Sequence, residues 1–501
     1  GYVKMFGDEP GSEISEEQKA YSFNHKPVGQ RIAVVLAGPL VNLFFALFLF
    51  IVVASVGEPM IAPIVGDVEV SSPAHAAGFR SGDTVLTLNG EAVPTWDSLQ
   101  KSIEKSADLS LKFTVKREAN GAVEEVTASP KLVGNKNVLS WDRFIGEIEG
   151  LSANSTMPII GIRSPESLAG QAGLKTGDVI QAVNGVKVAR WREVLAEVEK
   201  SARSISTGNS TGALELELGR GLVEEKAAAE TPVKTSLQYA AAEGQTAVMI
   251  LNSLGIEFGD MYLSGIEKSS PAELAGFRKG DRILTIDGAE VSSFEQVSNT
   301  IKSFGRTRPE GESTPLAFGI LRDNQVITLN VAPNQKQHMN QHGREERRFE
   351  VGIRPYLANA PPTQIEITQS NLFSAISRGF SQTVRWTSLT VLSFVRLFQA
   401  EVSPKNIGGF LSIGQMAKHS WQVGLAQFLN VMAIISINLF VLNLLPVPVL
   451  DGGHLVFYSV EALRGAPLSM RKIEIAQQVG LVLLLALMAF ALFNDVSRIF
   501  N

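Results

Sequence analysis

The sequence predicts a polytopic α-helical membrane protein with small α+β domains inserted in tandem between its membrane spans. Three observations carry this prediction. Some apolar runs are too long and too free of charge for a soluble core, a short motif recurs three times in mid-chain, and Lys and Arg are placed unevenly about the apolar runs. Composition agrees. The 501 residues are 45% hydrophobic and 19% charged, against roughly a quarter charged in ordinary soluble chains. The net charge of −5 leaves no basic excess to neutralise phosphates, so nucleic acid is excluded as a partner. With no cysteine, disulfides, thiolate zinc sites, iron–sulfur clusters and cysteine nucleophiles are excluded, and six histidines remain as imidazole ligands or bases.

The spans come first. Residues 32–57 carry no charge and lie between Arg31 and Glu58. At 1.5 Å per residue such a run clears a hydrocarbon core of ~30 Å. Residues 1–31 precede it, so it is not the apolar part of a signal peptide. A second uncharged run, 420–450, ends at Asp451, and a third, 475–494, lies between Glu474 and Asp495. Lys26 and Arg31 before the first span, and Arg464, Arg471 and Lys472 in the 451–474 loop, put both segments in the cytoplasm. The region from about 58 to 370 then lies outside the membrane, which in a bacterium is the periplasm. Within 362–419, the stretch Asn371–Ala400 is rich in Phe, Leu and Val but holds Arg378, Arg385 and Arg396. Their offsets put all three on one side of a helix, which predicts an amphipathic helix at the membrane surface.

The outer region contains one pattern three times. It reads Ser72-Pro-Ala-His-Ala-Ala-Gly-Phe-Arg-Ser-Gly-Asp83, then Ser167-Leu-Ala-Gly-Gln-Ala-Gly-Leu-Lys-Thr-Gly-Asp178, then Ser270-Pro-Ala-Glu-Leu-Ala-Gly-Phe-Arg-Lys-Gly-Asp281. The turns Asn89-Gly90, Asn184-Gly185 and Asp287-Gly288 follow at one spacing, and then an aromatic, Trp96, Trp191 or Phe294. The small-residue stretch closes a short helix on a glycine cap, Gly-Asp opens a strand, and Asn-Gly or Asp-Gly turns the chain. A second helix then buries one stripe: Trp96, Leu99 and Ile103, or Trp191, Val194 and Val198, or Phe294, Val297 and Ile301. A further strand follows, as at Leu111–Val115. This unit resembles the PDZ domain as it occurs in bacterial proteases, which implies PDZ-like domains at 60–150, 151–245 and 246–357. PDZ domains bind extended peptides as an added strand; the glycines and turns themselves hold the fold.

The chemistry lies in the second span. Asn438-Leu-Phe-Val-Leu-Asn443-Leu-Leu-Pro446-Val-Pro448-Val-Leu-Asp451-Gly452-Gly453-His454 breaks an apolar stretch with two amides, two prolines and a carboxylate. A carboxylate at membrane depth costs at least ~2.5 kcal/mol and persists when it is paired or ligates a metal. Prolines free backbone carbonyls, which are tolerated where they line protein or a wet cavity. By itself the aspartate also fits an interfacial residue beside a Gly-Gly turn.

Asn-x-x-Pro-x-x-x-x-Asp-Gly in a membrane span resembles the signature of the site-2 proteases, the intramembrane zinc metalloproteases. Ala37-Gly38-Pro39-Leu40-Val41-Asn42 is similar to that family's Gly-Pro-x-x-Asn segment. Gly1-Tyr2-Val3-Lys4-Met5 is similar to its membrane-re-entrant β-loop, and Phe23-Asn24-His25-Lys26-Pro27-Val28-Gly29-Gln30-Arg31 to the stretch leading into its next span. PDZ-like copies between the flanking spans resemble the bacterial RseP branch. The family's His-Glu-x-x-His motif is expected upstream of Gly1. His338-Met-Asn-Gln-His342 lacks the glutamate and reads as solvated surface. Three PDZ-like copies exceed the two usual in this branch, and Gly408-Gly409-Phe410 stands where the family more often has Gly-Pro.

The resemblance implies roles. Two histidines of the upstream motif and Asp451 hold Zn²⁺ with one position open for water, and the upstream glutamate is the general base. Asn443 hydrogen-bonds the substrate backbone near the metal, Asn438 assists, and Pro446 belongs to the same substrate-binding stretch. Residues Gly1, Tyr2, Val3, Lys4 and Met5 clamp the unwound substrate as an added strand. His454 is not a ligand. The implied activity is regulated intramembrane proteolysis in the bacterial inner membrane. Its substrates are single-pass membrane proteins trimmed first by another protease, such as anti-sigma factors and remnant signal peptides, with the PDZ-like domains excluding bulky ones. The rival expectation is a non-catalytic membrane scaffold that binds peptides.

Overall fold

The structure, a computed structural model, describes residues 21–70, 72–118, 120–205, 211–220, 232–240, 244–307, 315–339, 345–369, 371–402, 408–466 and 468–500. Three helical segments have the length and composition to cross a bilayer: Val28–Val56, Leu425–Leu444 and Arg471–Ser497. The first is helix α1, Val28–Val56, which opens after Pro27 and stops at Gly57 with φ +123°.

The membrane-side helices α5 (Leu372–Phe398), α6 (Phe410–Val423), α7 (Leu425–Leu444), α8 (Asp451–Arg464) and α9 (Met470–Phe500) follow the outer region. Two expectations are corrected here. The uncharged run 420–450 is not one span: Gly424, at φ +149°, ends α6, and the span α7 begins at Leu425 and ends at Leu444, before Pro446. The 451–474 segment, expected as a loop, is helical from Asp451 to Arg464 and closes on Gly465 in the left-handed conformation. Ala46, Leu49 and Phe50 of α1 pack on Ala433, Ile437 and Val441 of α7. Ser436 adds a hydrogen bond to the Asn42 carbonyl at 2.8 Å.

Helix α5 was expected to lie on the membrane surface. It packs instead along α1 and α7, because it has three faces rather than two. One face meets the bundle: a Cβ on Gly379 would lie 2.6 Å from Ile51 Cγ1, and Trp386 and Phe394 join the α1–α7 cluster. A second carries the arginines, with Arg378 on Glu58 (3.1 Å), Arg385 on Asp97 (3.3 Å) and Arg396 on Glu401 (2.8 Å). A third, Phe373, Ile376, Phe380, Val384, Val391, Val395 and Phe398, stays exposed.

The outer region holds three four-stranded antiparallel sheets of one topology. In the first, spatial order runs Glu91–Ala92, Thr84–Leu88, Leu111–Lys116, Val123–Ala128. In the second it runs Val186–Lys187, Val179–Val183, Thr211–Gly219, Val233–Ala240, and in the third Ala289–Glu290, Arg282–Ile286, Leu316–Arg322, Gln325–Val331. Helices α2 (Trp96–Glu104), α3 (Trp191–Ile205) and α4 (Phe294–Thr307) cover them. Their stripes Leu99/Ile103, Val194/Val198 and Val297/Ile301 are buried. The second core also takes in Ala247, Ile250, Leu251, Leu254 and Ile256, so its packing runs past the boundary expected at 245. The reason is that its closing strand, Ile256–Phe258, pairs back with Ile160–Ile162.

Each repeat motif has one local job in all three copies. Ser72, Ser167 and Ser270 cap a short helix by accepting from the N–H groups of His75, Gly170 and Glu273 at 3.1–3.2 Å. Asp83, Asp178 and Asp281 accept from the N–H three residues earlier at 2.8–2.9 Å. Asn89, Asn184 and Asp287 hold φ +50°, which a short polar side chain tolerates. An unforeseen ion pair completes the pattern: Arg117 on Asp83 (2.5 Å), Arg220 on Asp178 (3.6 Å) and Arg322 on Asp281 (2.7 Å). Each arginine also donates to a glycine carbonyl of its motif, Gly78, Gly173 or Gly276.

The modules are joined side to side. Ile159, Val179, Tyr262 and Tyr356 form a buried seam between the second and third. Glycines make room for its rings, since a Cβ on Gly161 would lie 2.1 Å from Tyr262 and one on Gly177 2.6 Å from Tyr356. Arg192 reaches Glu118 (3.0 Å) and Ser155 (2.6 Å) between the first and second. The strand that leaves α1, Glu58–Ile61, pairs antiparallel with the strand that leads into α5, Gln364–Ile367, with Glu58 opposite Ile367 and Ile61 opposite Gln364.

Candidate metal centre and substrate site

Helix α7 ends at Leu444 because Pro446 and Pro448 cannot donate to a continuing helical ladder. The break is closed by two short bonds, Val447 N–H to Leu445 O (2.7 Å) and Leu450 N–H to Val447 O (2.8 Å). Helix α8 then starts at Asp451. Its next residues, Gly452 and Gly453, are buried against the break: a Cβ on Gly452 would lie 2.2 Å from Leu445 O, and one on Gly453 2.4 Å from Val447 O. The Gly-Gly pair therefore lets the start of α8 dock directly on backbone carbonyls. No larger residue fits there without moving Asp451.

That docking turns the Asp451 carboxylate toward α1. A Cβ on Gly38 would lie 3.1 Å from Asp451 Oδ2, so the glycine of the Gly-Pro-x-x-Asn segment leaves the carboxylate its space. Asp451 is half-buried and, among the described residues, has no hydrogen-bond or ion-pair partner. An unpaired, half-buried carboxylate in a membrane helix bundle has the chemistry of a metal ligand. Among the described residues no group of three or more His, Asp or Glu could hold an ion by itself. The other end of α8 is pinned to the start of α1. Arg31 pairs with Glu461 and its guanidinium lies 4.8 Å from the Tyr458 ring centre. Phe23 meets the same ring edge-on at 6.3 Å.

The remaining predicted residues are distributed as follows. Asn443 is half-buried in the last turn of α7 and has no side-chain partner among the described residues. Asn438 is engaged, since its Oδ1 accepts from the Thr390 hydroxyl of α5 at 2.9 Å. Pro446 is exposed at the break. His454 sits among aromatics, 6.2 Å from Phe457 and 6.3 Å from Tyr458 between ring centres. Gly1, Tyr2, Val3, Lys4 and Met5, and His342, lie outside the described residues. The Thr390–Asn438 bond was not anticipated, because no sequence signal singles out one threonine in a long amphipathic helix.

The structure thus presents a lone carboxylate on a broken helix inside an apolar bundle. Comparison with known proteins gives the family: the model of peptidase family M50 matches residues 1–487, and the chain belongs to that family, as a site-2-type zinc metalloprotease. A protein of Neisseria meningitidis serogroup A, assigned by name as a zinc metalloprotease, is 29% identical over 500 residues, covering 100% of this chain and 86% of its own length. The regulator of sigma-E protease RseP of Salmonella typhimurium is 28% identical, and that of Escherichia coli K12 27%, each over 100% of this chain and 85% of its own length. Membership of a peptidase family decides against the non-catalytic scaffold. A solved PDZ domain protein from Parabacteroides distasonis covers 60% of this chain and 95% of its own at 10% identity, with a TM-score of 0.16, too low to bear on the fold.

Proposed function

We propose that this protein cuts single-pass membrane proteins within their membrane spans, in the bacterial inner membrane, after a first protease has trimmed them. In this reading its substrates are anti-sigma factors and remnant signal peptides, as the names of the RseP relatives suggest for the former. Asp451 is one zinc ligand, the others coming from outside the described residues. Zinc, when bound, polarises the scissile carbonyl and lowers the pKa of a bound water. Asn443, one helical turn and the proline break before Asp451, donates to the substrate backbone. That bond holds the substrate unwound, which matters because a peptide bond inside an intact helix is shielded from attack. Pro446 shapes the same break, and Gly1–Met5 supply an added strand. Asn438 keeps α5 against the active-site span through Thr390, a bond that leaves its Nδ2 as the group that assists.

The PDZ-like modules stand in the periplasm and act as a size filter. The glycine-relieved tyrosine seam and the Arg192 contacts support this, because a jointed but packed array excludes bulk better than three loose domains do. The observation that carries the proposal is the unpaired Asp451 carboxylate at the helix break, facing Gly38. Its test is zinc content by elemental analysis together with cleavage of a model membrane substrate. Asp451→Asn is expected to lose most of the metal and the activity, since an amide is a far weaker ligand, whereas His454→Ala keeps the zinc. Unchanged zinc in Asp451→Asn would reduce Asp451 to a turn residue.

A further inference from the structure

The Gly-Pro-x-x-Asn segment of α1 contributes more than its glycine. Asn42 is half-buried, and among the described residues its side chain has no hydrogen-bond partner. Its backbone has one, because the Ser436 hydroxyl of α7 donates to the Asn42 carbonyl at 2.8 Å. The main chain of Asn42 thus joins two packed spans while its amide is left over. An amide without a partner in an apolar bundle is costly unless a ligand meets it.

Where that amide leans follows from helix geometry. Side chains of an α-helix tilt toward its N-terminus, so a residue covers the turn before it and meets the residue four positions back. For Asn42 that residue is Gly38. Gly38 has no side chain to meet, and the Asp451 carboxylate stands over it, with Oδ2 3.1 Å from where a Cβ would lie. Gly38 is nonetheless exposed, so the crevice above it is open. Asn42 and Asp451 converge on this crevice from two helices, and no hydrogen bond joins them. The levels fit as well. Helices α1 and α7 run antiparallel, since Ser436 meets Asn42 whereas Asp451, later in the chain, meets Gly38, earlier in it. At 1.5 Å per residue Asn42 lies about 6 Å to one side of Gly38, and Asn443, seven residues past Ser436, about 4 Å to the other. The two unpaired amides therefore bracket the carboxylate. An extended peptide rises about 3.3 Å per residue, so about three of its residues pass all three groups.

We propose that Asn42 is a substrate-binding residue. Its Nδ2 donates to a carbonyl oxygen, and its Oδ1 accepts from an N–H, of the unwound substrate segment that lies over Gly38. Asn443 holds the same segment on the other side of Asp451, so the peptide is gripped at two points with the bond to be cut between them. Gly38 is the floor of this slot, and a side chain there would block it. The proposal rests on the reading of Asp451 as the centre of the active site, and the two are tested by separate measurements.

The chain has no cysteine, so Asn42→Cys puts a thiol where there was none. In the full-length protein, zinc is chelated to keep the substrate whole. Disulfide formation is then read against single-pass substrates with one cysteine at successive positions of the span. Val41→Cys, at the same depth but 64% exposed, is the reference. Asn42→Cys is expected to link to about three consecutive substrate positions, at least about fivefold more than Val41→Cys does, because an extended segment passes the slot. Equal linkage at 41 and 42 would overturn the proposal. So would no linkage at 42, which would mean that another segment of the protein covers Asn42. Asn42→Leu is expected to keep its zinc and its thermal unfolding midpoint and to cut at least about tenfold more slowly, and Asn42→Ser, which keeps a donor, to regain part of the rate. Loss of zinc from Asn42→Leu would overturn the proposal by making Asn42 part of the frame of the metal site. Unchanged zinc in Asp451→Asn, together with linkage at 42, would remove the metal reading of Asp451 and leave the slot standing.

Discussion

Asn443 and Asp451 are the two polar side chains at the helix break that no neighbour among the described residues engages. A polar group left so inside a membrane bundle is costly unless a ligand meets it. Asn443→Leu is expected to keep its zinc and to cut a model membrane substrate poorly. The loss should be about 1–3 kcal/mol, the cost of leaving a substrate backbone group without its partner. Comparing metal content with cleavage rate checks this, and a normal rate would remove Asn443 from the site. Beside it, Gly453→Ala puts a methyl where the Val447 carbonyl oxygen stands 2.4 Å away. That variant should lose zinc as Asp451→Asn does, although it changes no ligand, because α8 must shift to accept it. Elemental analysis of purified Gly453→Ala decides the point. The helix break between Asn443 and Asp451 and the three repeat motifs were legible in the sequence because each is a local pattern. The arginines that complete the repeats were not. Arg117 follows Asp83 by 34 positions and Arg322 follows Asp281 by 41, so no fixed spacing marks them.

Among the elements, α5 shows where local pattern stops being enough. Its arginines were read correctly as one face, but the remaining residues are divided between a bundle-facing and a bare stripe. A two-sided picture averages these, and only packing on Ile51 and Asn438 separates them. The break at Gly424 was missed for a related reason, since an uncharged run reports hydropathy and not backbone angle. Helix α4 of the third module offers a titration test. Its first N–H, from Phe294, donates to Asp260 at 3.1 Å, and burial pushes that carboxyl up to about 6. The folded state therefore holds the proton more tightly than the unfolded chain, whose carboxyl titrates near 3.8. Stability from this group is full below about pH 4, falls as pH rises toward 6, and is flat above, by about 3 kcal/mol in all. Asp260→Asn keeps an acceptor for Phe294 but removes the titration. Hydrogen exchange in the strands Leu316–Arg322 and Gln325–Val331 should slow with falling pH, after correction for intrinsic rates, in the parent and not in the variant.

At the scale of the whole molecule, the outer array and the membrane bundle meet at the paired strands Glu58–Ile61 and Gln364–Ile367, at the arginine face of α5, and where Trp141 of the first module donates to Ser388 of α5. Replacing residues 62–363 by Asn-Gly should turn those strands into a two-residue hairpin, the turn that suits an antiparallel pair. If the array is a filter, this shortened protein cuts substrates whose outer domain is intact as readily as trimmed ones. If the array recruits trimmed substrates, it cuts them more slowly and still spares the intact ones. Assaying both substrates with both proteins separates the two outcomes.

The pairing of Glu58–Ile61 with Gln364–Ile367 has one more consequence. Because the array begins and ends on neighbouring strands, the strand pairing at its base does not depend on how many repeats lie between them. A duplication or loss of one repeat leaves the stalk in register and the helix break at Asp451 untouched. Copy number is thus a free variable of this architecture: evolution can lengthen or shorten the outer array, and so retune which proteins reach the bundle, without disturbing the chemistry beneath it.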